Sequence, residues 1–232
     1  AHGELAIQIF LEHRQYLAAA RAMNNHGFAS VARGDWGEAR RRLTNVIRFA
    51  EQHGVESVQQ DSQLLMATVL AEGEELDQAD RLFHLVRPGY ERRGVCGMVN
   101  KVDYYLARLA GRRGQHAQAA LGLMAGLRQA QLKNWPFDVM YAMTFIAELL
   151  AIVHRPALAR HVLKATAQSK HADSAVACIL MQQQAIKLEV DLGLFAVSVS
   201  RPMDDEAFQR LVDMVLRCNT LEDLIRALES AR

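Results

Sequence analysis

Four alanines stand at a constant interval of 40 residues: Ala39, Ala79, Ala119 and Ala159. Twelve residues before each lies a small residue, Gly27, Ala67, Ala107 or Ala147, and four residues after each a large apolar one, Leu43, Phe83, Leu123 or Leu163. Three columns at fixed offsets describe a repeated helical hairpin. Small residues on both helices let the backbones approach, and the large residue one turn further along fills the space beside that contact. Apolar residues recur at helical spacing almost throughout, and strand-like alternation is confined to the ambiguous stretch Phe195–Val199. A single hairpin cannot bury its own apolar face, so such a chain must stack its repeats. The expectation is an all-α array.

The phase of the columns predicts the elements. First helices fall at about 15–33, 57–72, 98–112 and 137–153, and second helices at about 36–53, 76–92, 116–132 and 156–169. Residues 4–12 read as the second helix of a preceding repeat. A turn column holds Gly34, Glu74 (with Gly73 beside it), Gly114 and His154; glycine there permits a left-handed backbone. Pro88, Pro136, Pro156 and Pro202 are all expected at helix ends. A fifth first helix is predicted over about 173–192, closing at Gly193. The phase then breaks: the alanine due at 199 appears at Ala207, after the insert Leu194–Met203. Asp204, Asp205 and Glu206 suit a helix N-terminus by charge, and a last helix over about 220–230 is expected to cap the array.

Small residue, turn glycine, alanine and large apolar residue at offsets 0, 7, 12 and 16 resemble the tetratricopeptide-repeat superfamily. The match is clearest in Asn24-Asn25-His26-Gly27, Gly34-Asp35-Trp36, Ala39 and Leu43, and it covers roughly residues 15 to 170. The 40-residue period exceeds the family's usual ~34 and is similar to the longer helical arrays of bacterial signalling proteins and transcription activators. The resemblance implies a right-handed α-α superhelix of about five hairpins, forming one domain over 1–232, with the first helices lining a concave groove. Trp36 falls where the family places an aromatic at the start of a second helix. Trp135, before Pro136 in an inter-repeat loop, reads as packing.

Composition narrows the function. Lys and Arg number 27 against 26 Asp and Glu, a net charge of +1, so no bulk basic excess points to direct nucleic-acid binding. Cys96, Cys178 and Cys218 are far apart and odd in number, which fits separate thiols in a reducing compartment. No apolar run approaches the ~20 residues that cross a bilayer. The chain opens on Ala1 and is already patterned at Leu5, so it is read as a piece of a longer cytoplasmic protein, without a membrane partner. The histidines lack metal spacing, and Gly111–Gly114 lacks the lysine of a phosphate loop. Cys96 has two arginines before it but no identifiable base. Neither an enzyme nor a cofactor is expected.

The resemblance places the candidate binding residues on the first helices. Mapped by repeat phase, the exposed inner positions are Arg21, Asn24 and Phe28; then Asp61, Leu64 and Thr68; then Lys101, Tyr104, Arg108 and Arg112; then Tyr141, Thr144 and Glu148. Lys101, Tyr104, Arg108 and Arg112 share one helical stripe. Three cations with a tyrosine suit carboxylates or a phosphate; the same stripe also reads as a solvated basic face. The family's clamp for a C-terminal carboxylate expects lysine and asparagine where Asn24 and Phe28 stand, so that clamp is absent. The expected function is a non-catalytic module of a larger bacterial regulatory protein. It would hold a protein or peptide segment, acidic in character, or a small effector. The alternative is a free-standing scaffold or chaperone shielding a partner helix, for which nine methionines would supply adaptable contacts.

Overall fold

The computed structural model describes residues 2–167, 169, 185 and 205–231. The expected helix over 173–192, the insert Leu194–Met203, Asp204, Pro202 and Cys178 lie outside them. Eleven α-helices are found among the described residues. They are α1 (His2–Glu12), α2 (Tyr16–Ala32), α3 (Trp36–Gln52), α4 (Glu56–Glu72), α5 (Leu76–Arg92), α6 (Cys96–Arg112), α7 (His116–Leu132), α8 (Pro136–Ile152), α9 (Pro156–Ala167), α10 (Asp205–Arg217) and α11 (Leu221–Ser230). The all-α class and the expected boundaries agree with this order to within two residues over α1–α9. Pro88 departs from expectation. It lies inside α5 rather than at an end, in the last turn and a half.

The helices run to a stricter rhythm than the 40-residue columns. Each of α2 to α8 is 17 residues long. The residue in the left-handed backbone region falls every 20 positions: Arg14, Gly34, Gly54, Glu74, Gly94, Gly114, Asn134 and His154, with φ from 53° to 83°. At each turn the same two bonds close the preceding helix. At Gly34, Asp35 N–H donates to Ser30 O at 3.0 Å and Gly34 N–H to Val31 O at 3.0 Å, which is the Schellman closure. The residue after the left-handed one then starts the next helix, as when Asp35 O accepts from Ala39 N–H and the Asp35 carboxylate from Glu38 N–H at 3.2 Å. Glu74, not Gly73, takes the left-handed position, since Gly73 has φ −79°.

Two compact units are present, Ala1–Cys96 and Gly97–Arg232. In the N-terminal unit each of α1 to α4 packs on the next, and α2 also meets α4. Ala20, Val46 and Val58 form a core cluster with Met23, Phe49 and Val55 against it. In the C-terminal unit α7 packs on α8 and α8 on α9, while α10 and α11 cover α7 and α9. Arg128 on α7 secures that cover, donating to the carbonyls of Leu216 at 3.3 Å and Cys218 at 2.7 Å at the end of α10.

The column residues have the equivalent environments their spacing requires. Ala39, Ala79, Ala119, Ala159, Leu43, Phe83, Leu123 and Leu163 are all fully buried. A β-carbon on Gly27 would lie 2.7 Å from Leu43 Cδ2, and one on Gly122 would lie 2.8 Å from Ala107 Cβ. Small residues are therefore fixed by close approach between paired helices.

Candidate functional site

Few of the residues expected on an open inner wall are exposed. In the C-terminal unit most are interior. Tyr104 is 0%, Arg108 4% and Tyr141 7% exposed, and Thr144 and Glu148 are buried with them. The reading of Tyr104, Arg108 and Tyr141 as groove-facing contacts is corrected accordingly. On α8 every residue from Val139 to Leu150 is buried. The signal was present in the sequence: this segment is apolar nearly all round, and such a helix is enclosed rather than amphipathic.

Burial gives these side chains structural partners one repeat apart. Arg108 Nε donates to Glu148 Oε2 at 2.5 Å and Nη2 to Oε1 at 3.1 Å, a two-point pairing between α6 and α8. The guanidinium also lies over the Phe145 ring at 5.0 Å. Lys101 is half-buried, with its ammonium 4.9 Å from the Tyr141 ring centre. Asn100 donates to Asp138 Oδ2 at 3.4 Å. Burial pushes the Asp138 carboxyl above its ordinary range, while the Asn100 amide and Lys101 pull it back. Burial likewise raises the Tyr104 phenol, with the Asn100 amide opposing and Asp138 adding to the rise; Tyr141 rises through burial and Asp138. The Tyr104 ring lies under Gly126, whose missing β-carbon would be 2.3 Å from Tyr104 Cε1. Arg112 is half-buried at the end of α6.

The second repeat shows the same interior tendency. Leu64 and Thr68 are buried. Asp61 is engaged, accepting from the Tyr90 hydroxyl at 2.9 Å and lying 3.5 Å from Arg93 Nη2. In the first repeat Asn24 Oδ1 accepts from Ser62 Oγ at 2.8 Å, joining α2 to α4, and Phe28 is half-buried. Arg21 differs: it is exposed and lines a cleft of about 790 Å³ in the N-terminal unit.

No family model matches the chain, and no curated protein or solved structure matches it either.

The cleft at Arg21 was not anticipated as a unit. It lies at the α1–α2 turn, the first turns of α2 and the end of α3, and it gathers Arg14, Tyr16, Arg21, Asn25 and His53. Arg14 sits in the left-handed turn position. The Tyr16 and His53 rings stack at 4.0 Å with 15° between planes, and Phe49 closes on His53 at 4.4 Å. The 20-residue turn rhythm was the missed signal, because it places Arg14 in the turn ahead of Tyr16.

Among the described residues no group of three metal-ligating side chains is found, and no helix is long and apolar enough to cross a membrane. Cys96 is exposed as the first residue of α6; Cys218 is buried, its thiol donating to Met214 O at 3.3 Å.

Proposed function

We propose that this chain is a non-catalytic recognition module of a larger bacterial regulatory protein, built as a tetratricopeptide-like right-handed superhelix. It holds an acidic protein segment or a small anionic effector on the first-helix side of its N-terminal repeat. The observation that carries this reading is the contrast between two arginines. Arg108 is 4% exposed and committed to Glu148, so it belongs to the scaffold. Arg21, on the first helix two repeats earlier, is exposed in a cleft and has no carboxylate partner among the described residues. An open, unneutralised guanidinium on a rigid helix suits planar recognition of a carboxylate or phosphate.

The regulatory step follows from the architecture. A ligand that meets one arrangement of the hairpins better than another shifts their population, and attached domains respond to that shift. Pull-down from a bacterial lysate by the wild-type chain and by Arg21→Glu tests the reading. Because Arg21 is exposed, the variant should melt with the wild type yet recover none of the acidic partner. Equal recovery by both proteins would remove the proposal.

A further inference from the structure

We infer that the cleft formed by Arg14, Tyr16, Arg21 and His53 binds a small organic anion: a flat aromatic body bearing a carboxylate or phosphate. The inference rests on the reading of α2 as the ligand-bearing helix and names the chemistry of the ligand.

Charge is the first argument. The cleft presents two guanidinium groups and an imidazole, and no carboxylate lines it. Elsewhere in the N-terminal unit Arg40 is 2.5 Å from Glu75, Arg41 and Arg42 are 2.6 and 2.5 Å from Glu38, and Arg87 pairs with Glu91. Arg14 and Arg21 have no such partner among the described residues. Two cations facing one hollow without a counter-charge repel each other and attract an anion. The start of α2 adds to this field. Gln15 caps it without a side-chain hydrogen bond, and Leu17 and Ala18, first-turn residues whose amides have no partner within the helix, are among the residues lining the cleft.

Shape is the second argument. About 790 Å³ is far more than an inorganic ion fills and lies in the range of organic ligand sites. The cleft also offers an apolar surface. The stacked Tyr16 and His53 rings, held from behind by Phe49, form an aromatic wall near the arginines, and Phe10 and Val55 complete the apolar lining. A planar ring against that wall keeps its acidic group within reach of Arg14 and Arg21.

The test is nuclear magnetic resonance titration of the full chain with benzoate, with adenosine monophosphate, with neutral benzamide and with inorganic phosphate. Benzoate or the nucleotide should shift the Leu17 and Ala18 amides and the His53 ring signals saturably. The tighter of the two names the acidic group. Benzamide and inorganic phosphate should bind far more weakly. The double variant Arg14→Gln/Arg21→Gln, altered only at exposed side chains, should keep its spectrum and weaken binding by about tenfold or more. No saturable shift with either aromatic anion overturns the inference, as does equal binding by benzamide or by the double variant. If no anion binds while pull-down still depends on Arg21, the small-ligand inference fails and the partner-binding reading stands. If anions bind but pull-down ignores Arg21, the reverse holds.

Discussion

Arg108 on α6 and Glu148 on α8 sit one 40-residue repeat apart and meet in a two-point ion pair with both side chains buried. The pairing joins equivalent positions of successive first helices. Removing one member takes this two-point pairing from the other buried charge. Arg108→Met should therefore cost about 3–5 kcal/mol in urea unfolding, whereas Arg108→Met with Glu148→Leu should recover most of that loss. Arg108→Glu, which at an exposed groove position would have been tolerated, should lose the cooperative fold because it places two carboxylates together. A double variant as unstable as the single one would show that the pair is not the coupling.

Glycines of the array divide by what their missing β-carbons would meet. Gly126→Ala drives a methyl to 2.3 Å from the ring of fully buried Tyr104, so it should destabilise by about 1–3 kcal/mol. Gly37, near the start of α3, has nothing within 4 Å, and Gly37→Ala should stabilise by up to about 1 kcal/mol through helix propensity. Urea midpoints of the two variants should move in opposite directions.

Turns at Glu74 and His154 carry ordinary side chains at φ 65° and 60°, where Gly34, Gly54, Gly94 and Gly114 occupy the same step of the rhythm. The left-handed conformation costs a non-glycine residue about 1–2 kcal/mol, and glycine returns part of that as unfolded-chain entropy. Glu74→Gly and His154→Gly should each raise stability by about 0.5–1 kcal/mol. Asn134→Gly should gain less, since asparagine tolerates this region. The melting temperatures of the three variants provide the measurement.

Asp138 supplies a pH dependence of known sign. Its carboxyl is held above the ordinary 3.8 by burial, against the opposing pull of Asn100 and Lys101. The folded state thus binds the proton more tightly than the unfolded chain. Its contribution is present in acid, below 3.8, and is lost as pH rises through the raised value. Asp138→Asn, which keeps an acceptor for Asn100, should melt above the wild type at neutral pH, and the gap should close in acid. A gap that persists unchanged below pH 3.8 would reject the assignment.

At the start of α3, Asp35 caps the helix and Glu38 is held down to about 2 by hydrogen bonds from Arg41 and Arg42. Asp35→Ala should cost about 1 kcal/mol by releasing the Glu38 amide, read as a lower urea midpoint.

Where the helices begin and end was legible in the residues, because each boundary is set locally. The Schellman bonds reach back only five residues, as from Asp35 to Ser30, and the small, alanine and large columns record contacts within one hairpin, as between Gly27 and Leu43. The Arg14–Arg21–His53 cleft was not legible. His53 lies at the end of α3, and only the folding of α3 back onto α2 brings its ring onto Tyr16.

The sequence by itself determined the helices, their lengths and which residues share a face, since a period of 3.6 residues and a 20-residue turn rhythm are properties of the chain. Tertiary structure alone decided which faces stay open. Arg21 and Lys101 hold equivalent places on first helices two repeats apart, yet Arg21 is exposed and Lys101 is half-buried with its ammonium over the Tyr141 ring. The physical reason is that burial is set by which helices pack against a face from outside its own hairpin. Those neighbours lie a full repeat or more away in sequence, so local pattern signals enclosure only where a helix is apolar nearly all round, as α8 is.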